Sequence, residues 1–340
     1  LVYDARVNPS APSAIAPQPP QHSPASLARR LRLQQLLIFE KVVQAGSILA
    51  ASRELALTQP ALSKSIHELE AQLGGQLFVR GKRGVALTEL GRLFEHHAKT
   101  LLGELRYLAE DLNAAQSGAA GQVVVGTLIT ASATLLPEAI TRLRAAAPDV
   151  VVTIRVGSSA LLFPALLRSE LDVVVGVLPD ARDTLLADEQ ATRLAHVPLH
   201  QEALRVVVGS QHPLARRRRI DAAQLRDLDW IVPTQDSVAG RSVGAFFSRV
   251  GLALPRRRVE SVSILTNLEL LINSHMVGLM PQSAADRFAR AGLLALLPVS
   301  GQGAFGAVGY TVRADRPPSA AAQRFLQALR DASQGFASPG

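Results

Sequence analysis

The 340-residue chain contains no cysteine. That absence removes disulfides, thiolate zinc sites, iron–sulfur clusters, cysteine nucleophiles and thiol redox sensing together. Aromatic residues make up only 4% of the chain, with a single tryptophan, Trp230. No apolar run reaches the roughly 18 residues of a membrane-spanning helix. A nucleophile elbow, a Ser/His/Asp order, a P-loop and a dinucleotide glycine fingerprint are missing as well. An enzyme is therefore not expected, and neither is a cofactor. His196 and His200 have helical metal-ligand spacing but bracket Pro198 in a strand-like stretch, so no metal site is expected either.

What is present points to a large core and a polyanionic partner. Hydrophobic residues are 48% of the chain and the formal charge is +8, a balance that favours nucleic acid. The length fits two or three domains. Residues 1–29 are rich in Pro, Ala and Ser, lack a continuous apolar run and do not read as a signal peptide, so a disordered tail and a cytoplasmic protein are expected.

From Arg30 onward Leu33, Leu36, Phe39, Val42 and Val43 recur at helical spacing up to Gly46. Ser47 can cap a second helix, and Thr58 a third that carries Leu62, Ile66, Leu69 and Leu73 and stops at Gly74-Gly75. Leu77–Arg80 and Val85–Leu87 then flank Gly81-Lys82-Arg83-Gly84 as a small hairpin with a basic tip. Three short helices followed by such a hairpin predict a winged helix-turn-helix over residues 30–88. Thr88 opens the next helix, whose Phe94, Ala98, Leu101, Leu105, Leu108, Leu112 and Ala115 are spaced 4-3-4-3-4-3. That seam is about 33 Å long at roughly 1.5 Å per residue and predicts pairing with a second copy, with 89–118 as a dimerisation linker. Beyond Gly121 strands and helices alternate in βαβ fashion, predicting an α/β domain over 119–340.

Residues 33–92 resemble the DNA-binding region of LysR-type transcriptional regulators. The resemblance lies in Leu36-x-x-Phe39, Gly46-Ser47, Ala51, Leu55, Thr58-Gln59-Pro60-Ala61-Leu62-Ser63, Ile66, Leu69-Glu70, Leu73-Gly74, Leu77-Phe78-x-Arg80, Arg83, Leu87-Thr88 and Gly91. Ile48 stands where that pattern favours an aromatic and Ser52 where it favours Ala. The remainder is similar to the family's effector domain through Leu136-Pro137, Glu170-Leu171-Asp172-Val173, His212-Pro213-Leu214 and Val277-Gly278-Leu279-Met280-Pro281. The subgroup it resembles most is that of galactose-binding-protein and protocatechuate-pathway regulators. The resemblance implies a two-lobed, periplasmic-binding-protein-like fold, with lobe one at 119–199 plus 301–335 and lobe two at 200–300. It also implies a homodimer or homotetramer on promoter DNA, in contact with RNA polymerase.

The third helix of a helix-turn-helix presents its first turns to base edges in the major groove. Gln59 suits adenine, Lys64 a guanine or phosphate, and Pro60 a thymine methyl; Ser63 and His67 share that face. Arg80, Lys82 and Arg83 at the hairpin and Arg53 on the second helix are candidates for phosphate or the minor groove. Residues 30–92 hold nine Lys and Arg against five Glu, a modest +4 that makes dimeric avidity necessary.

Ligands of α/β units bind beyond the carboxyl ends of strands, where helix N-termini favour anions. Thr130, Ser132, Ser158, Ser159, Thr234, Gln235, Ser237 and Val262 occupy such positions and are the candidate effector contacts; a plain helix cap is the alternative for each. Together they make a small anion the expected effector class. Two rival functions remain: a solute-binding protein of a transport system, which residues 119–340 alone would permit, and an α/β enzyme. The helix-turn-helix argues against the first, and the missing catalytic set against the second.

Overall fold

The computed structural model describes residues 22–336 apart from 82–83, 118–120, 129–130, 132, 180–191, 235–237 and 300–303. Two units divide the chain, Leu1–Ala98 and Lys99–Gly340.

The first unit holds α1 (Pro24–Arg30), α2 (Leu33–Ala45), α3 (Ile48–Glu54), α4 (Gln59–Leu73), β1 (Phe78–Gly81), β2 (Gly84–Leu87) and the start of α5 (Glu89–Ser117). Helix α1 corrects the expected tail through residue 29. Ser23 accepts a hydrogen bond from Ser26 N, and Pro24 sits in the first turn, a start signal with good helix formers behind it. The three following helices begin and end where capping chemistry dictates. Ser47 Oγ caps α3 through Ala50 N, and Thr58 Oγ1 caps α4 through Ala61 N. Gly46 and Gly74 close α2 and α4 at φ 61° and 74°, left-handed values that glycine adopts without strain. Leu36, Phe39, Val42, Leu62, Ile66 and Leu69 form the buried interior. Phe39 lies 5.2 Å from Phe78 and 4.9 Å from Phe94, so hairpin and α5 share one aromatic nucleus.

The second unit contains β3 (Gln122–Thr127), α6 (Leu135–Ala146), β4 (Val151–Val156), α7 (Ser159–Leu167), β5 (Val173–Val177), β6 (Leu194–Gly209), β7 (Trp230–Val232), α8 (Val238–Arg249), β8 (Arg258–Glu260), α9 (Ile264–Asn273), β9 (Val277–Pro281), α10 (Gln282–Arg290), β10 (Leu294–Leu296), β11 (Ala304–Arg313) and α11 (Ala320–Ser333). The strand order is β4-β3-β5-β11-β6-β9-β7-β8, with β10 against β6. Strand β6 serves both lobes: residues 194–203 pair with β11, and residues 204–208 pair with β9. Residues 204–208 are thus the second half of a 16-residue element, and the change of lobe falls at 203/204 rather than 199/200. A long strand tolerates this because its burial alternates in the first half and becomes continuous in Val206, Val207 and Val208, as a strand covered on both faces requires. Trp230 is fully buried against Phe246 and Phe247, with its indole N–H donated to Leu225 O.

Candidate nucleic-acid interface and ligand cleft

In the first unit α4 buries Leu62, Ile66 and Leu69 and turns the opposite face to solvent. Gln59, Pro60, Lys64 and His67 are exposed and Ser63 is half-buried, so the expected base-reading residues do share one accessible face. Arg53, at the end of α3, is exposed too. Lys64 lies 3.9 Å from Glu68 one turn on, an exposed pair worth only a few tenths of a kcal/mol and easily exchanged for phosphate. Arg80 belongs to β1; its side chain, and the whole of Lys82 and Arg83, lie outside the described residues.

Sequence patterning did not reveal how this surface is held. Glu70 Oε1 accepts from Leu77 N at 2.8 Å and from Phe78 N at 3.3 Å, fastening the root of the hairpin to α4. Thr88 Oγ1 donates to Gln76 O and accepts from Gly91 N. A Cβ on Gly91 would sit 2.1 Å from Leu77 O, so only glycine lets α5 start against the hairpin. At the other end of the hairpin Val85 N donates to Gly46 O. Helix and wing are therefore one rigid reading head.

In the second unit α5 has two opposite faces. Gly103, Arg106, Tyr107 and Glu110 sit against lobe one: a Cβ on Gly103 would meet Ser169 Cβ at 2.6 Å and Arg168 O at 2.7 Å. Asp172, 5% exposed, is the hub. It accepts from Val124 N at 2.6 Å, from Arg106 Nη2 at 2.9 Å and from the Tyr107 hydroxyl. Arg106 also reaches Glu110 at 2.7 Å, and the Arg316 guanidinium lies over the Tyr107 ring. Burial pushes the Tyr107 phenol above its ordinary value and the adjacent Asp172 carboxylate adds to the rise. The seam residues Leu101, Leu108 and Leu112 remain 46%, 54% and 51% exposed. At about 100° per residue these leucines are centred roughly 180° from the docked face. Helix α5 thus does not lie on its own lobe by Leu101, Leu108 or Leu112, while Leu105 between them is half-buried. Phe94 and Ala98 depart from the expected seam: Phe94 packs on Phe39 and Ala98 is buried.

Of the expected effector contacts, Thr130, Ser132, Gln235 and Ser237 lie outside the described residues. Ser158 is the exposed N-cap residue of α7, yet its hydroxyl makes no capping bond. Ser159 is 6% exposed, Thr234 is half-buried and Val262 is 40% exposed just ahead of the cap residue Ser263. Ser158 follows β4 and Thr234 follows β7, as the strand-end rule requires.

A polar cluster not anticipated from the sequence joins the lobes. Glu202 on β6 is 6% exposed. Its Oε2 accepts from Ser283 Oγ at 2.7 Å and lies 3.7 Å from His200 Nε2, while Oε1 accepts from Ser283 N at 3.3 Å. Burial pushes its pKa up, but hydrogen bonds from His200 and Ser283 outweigh that and hold the carboxyl below its ordinary value. Thr134 Oγ1 lies 3.3 Å from Ser283 Oγ. Above this cluster a cavity of about 460 Å³ opens between Thr134 and Glu138 of lobe one and Ser283, Arg287 and Arg290 of lobe two. His196 pairs with Thr311 at 2.8 Å and packs on Phe163. Among the described residues no three potential ligands group around a metal position, and no helix is long and apolar enough to cross a membrane.

Comparison with known proteins gives this geometry its context. The pattern described as "Bacterial regulatory helix-turn-helix protein, lysR family" matches residues 33–92, and "LysR substrate binding domain" matches residues 116–334. The transcriptional regulator GbpR of Azospirillum brasilense is 32% identical over 92% of this chain and 91% of its own length. PcaQ of Agrobacterium fabrum is 30% identical over 90% of this chain and 96% of its own. In fold the chain is similar to the crystal structure of CbnR, with a TM-score of 0.66 and 20% identity over 89% of this chain and 99% of that one. Full-length OxyR of Pseudomonas aeruginosa follows at 0.63 and 24%, over 88% and 98%. A reading head of this build, followed by a two-lobed α/β substrate-binding domain, places the chain in the LysR family of bacterial DNA-binding transcriptional regulators.

Proposed function

We propose that α4 enters the major groove with Gln59, Pro60, Ser63 and Lys64 at base edges and His67 at the margin, while Arg53, Arg80, Lys82 and Arg83 contact the backbone. The observation that supports this most directly is the exposed polar first turn of α4, held rigid by the Glu70 clamp at the hairpin root. Residues 30–88 act as the DNA-binding domain, 89–118 as the pairing helix and 119–340 as the sensor. Two copies joined along Leu101, Leu108 and Leu112 give the avidity that a local charge of only +4 needs. A homodimer or a tetramer then spans the promoter, beside RNA polymerase.

The sensor takes a small anionic effector at the strand ends that carry Thr130, Ser132, Ser158, Ser159, Thr234, Gln235, Ser237 and Val262. The uncommitted Ser158 hydroxyl and the helix starts around it support this reading. The protein works by binding rather than by catalysis, and in the cytoplasm, where promoter DNA is. GbpR and PcaQ are named as transcriptional regulators, which favours this reading over a transport or enzymatic role.

Gel shifts on the duplex upstream of its own gene test the assignment of roles. Gln59→Ala is expected to weaken the specific site by about 1–3 kcal/mol. Lys82→Ala is expected to weaken all sequences alike and flatten the salt slope by about one unit. Equal effects of the two substitutions on specific and random DNA would refute the division of labour.

A further inference from the structure

Lobe two carries a positive charge that neither the reading head nor the effector cleft uses. Residues 204–300 hold thirteen Arg and no Lys against seven Asp and Glu. Their balance of +6 exceeds the +4 of residues 30–92. The sheet gathers much of it at one end. Val208 pairs with Val277, Val277 with Trp230 and Trp230 with Arg258, so one row crosses β6, β9, β7 and β8. At about 4.8 Å per strand interval that row is about 14 Å wide. Residues 210–219, which leave β6 after Gly209, and residues 256–258, which lead into β8, therefore spring from the same edge. Thr234 and Val262 follow the other ends of β7 and β8, and β6 enters from lobe one at that other end too. The basic edge and the effector cleft are thus on opposite sides of the lobe.

The arginines at this edge project from a pinned segment. Ser210 N donates to Leu293 O, Ala215 N to His212 O and Arg217 N to Leu214 O. His212 is 7% exposed. Its Nδ1 accepts from Leu214 N at 3.1 Å, so Nε2 carries the ring proton and donates it to His275 O at 3.2 Å. Arg257 is paired with Asp229 at 2.6 Å and Arg258 with Glu260 at 2.8 Å. Arg216, Arg217, Arg218, Arg219, Arg226 and Arg256 are all exposed, and among the described residues none of the six has a carboxylate within ion-pair distance. Residues 210–230 and 253–260 together hold eight Arg against four Asp and Glu, a local +4.

We propose that this edge of lobe two binds duplex DNA through its phosphates, without regard to base sequence, as a second electrostatic contact in addition to the reading head. Guanidinium forks match phosphate oxygens in pairs, and every basic side chain of the patch is an arginine. A protein partner would call for an apolar or aromatic centre depleted of charge. Here Trp230, Phe246 and Phe247 are buried behind the edge, and the arginines stand in front. The contact adds affinity for any duplex and leaves the choice of site to α4.

Fluorescence anisotropy of the full chain on random and upstream duplexes, across a range of salt, tests the proposal. Arg217→Gln with Arg218→Gln should weaken both duplexes alike, keep their affinity ratio, and lower the slope of log K against log salt by about two units per engaged chain. Arg249→Gln with Arg324→Gln removes the same charge from exposed positions elsewhere and should leave the slope unchanged. Because the chain has no cysteine, Gln211→Cys alone can carry an iron chelate. Cleavage of a long duplex from that position should appear in the parent background and vanish with Arg217→Gln and Arg218→Gln. An unchanged slope in the patch variant, an equal fall in the control variant, or no cleavage from position 211 would each overturn the proposal. Loss of binding to polyglutamate with duplex binding intact would overturn it in favour of an acidic protein partner. None of these results would touch the reading head, whose own test is the specific-to-random ratio in Gln59→Ala.

Discussion

Replacing Asp172 with Ala tests whether α5 is fixed to lobe one by a buried polar hub rather than by apolar contact. The substitution strands three donors at once: Val124 N, Arg106 and the Tyr107 hydroxyl. Removing one member of a buried ion pair costs about 3–5 kcal/mol, because the partner keeps its desolvation penalty. Here the Arg106 side chain is 24% exposed and retains Glu110 at 2.7 Å, so about 3 kcal/mol is the expected loss. For a unit of this size each kcal/mol moves the melting temperature by roughly 2–4 °C, giving a drop of about 6–12 °C. Asp172→Asn keeps an acceptor for Val124 N and should lose about half as much. Differential scanning calorimetry of the full chain measures both. A drop under about 2 °C for the alanine variant would refute the reasoning, since solvent would then have replaced the hub at almost no cost.

Gly103→Ala should act on the same contact by a different route, forcing a methyl to within 2.7 Å of Arg168 O; a loss of about 1–3 kcal/mol in urea unfolding is expected. Acid should also unfasten the lobe. Hydrogen bonding from Arg313 holds the Asp315 carboxyl at about 2, below its ordinary 3.8, against a smaller opposing effect of burial. A depressed native pKa contributes stability that is complete above the ordinary value and disappears as pH falls towards the native one. Asp315→Asn should therefore show a shallower fall in melting temperature between about pH 4 and pH 2 than the parent, and parallel curves would contradict the pairing.

The first unit was almost fully legible in the sequence because its signals are local. Ser47, Thr58, Gly46 and Gly74 each fix a helix end through neighbours three or four residues away. Legibility failed where a residue's surroundings come from far along the chain. Glu202 in His-Gln-Glu-Ala-Leu-Arg reads as the solvent side of a strand, and only Ser283, 81 residues on, shows it to be buried. Asp172 reads as a turn residue, whereas its partners on α5 are 65 and 66 residues earlier. Helix α10 escaped notice because Pro281 reads as a stop and its buried stripe is made of small residues, Ala284 and Ala285. The leucine seam was legible as a pattern, but which of its members face outward depends on the docking of Gly103 and Tyr107 on the other side.

That outward face carries the account. Sedimentation equilibrium of the chain with Leu108→Arg and Leu112→Arg, paired with a gel shift on the upstream duplex at low salt, tests it most directly. The parent should sediment as a dimer or tetramer and shift the duplex, while the double variant should sediment as a monomer and lose the shift with its melting temperature intact. A variant that stays oligomeric, or one that binds the duplex as well as the parent while monomeric, would contradict the claim that two reading heads are joined through α5.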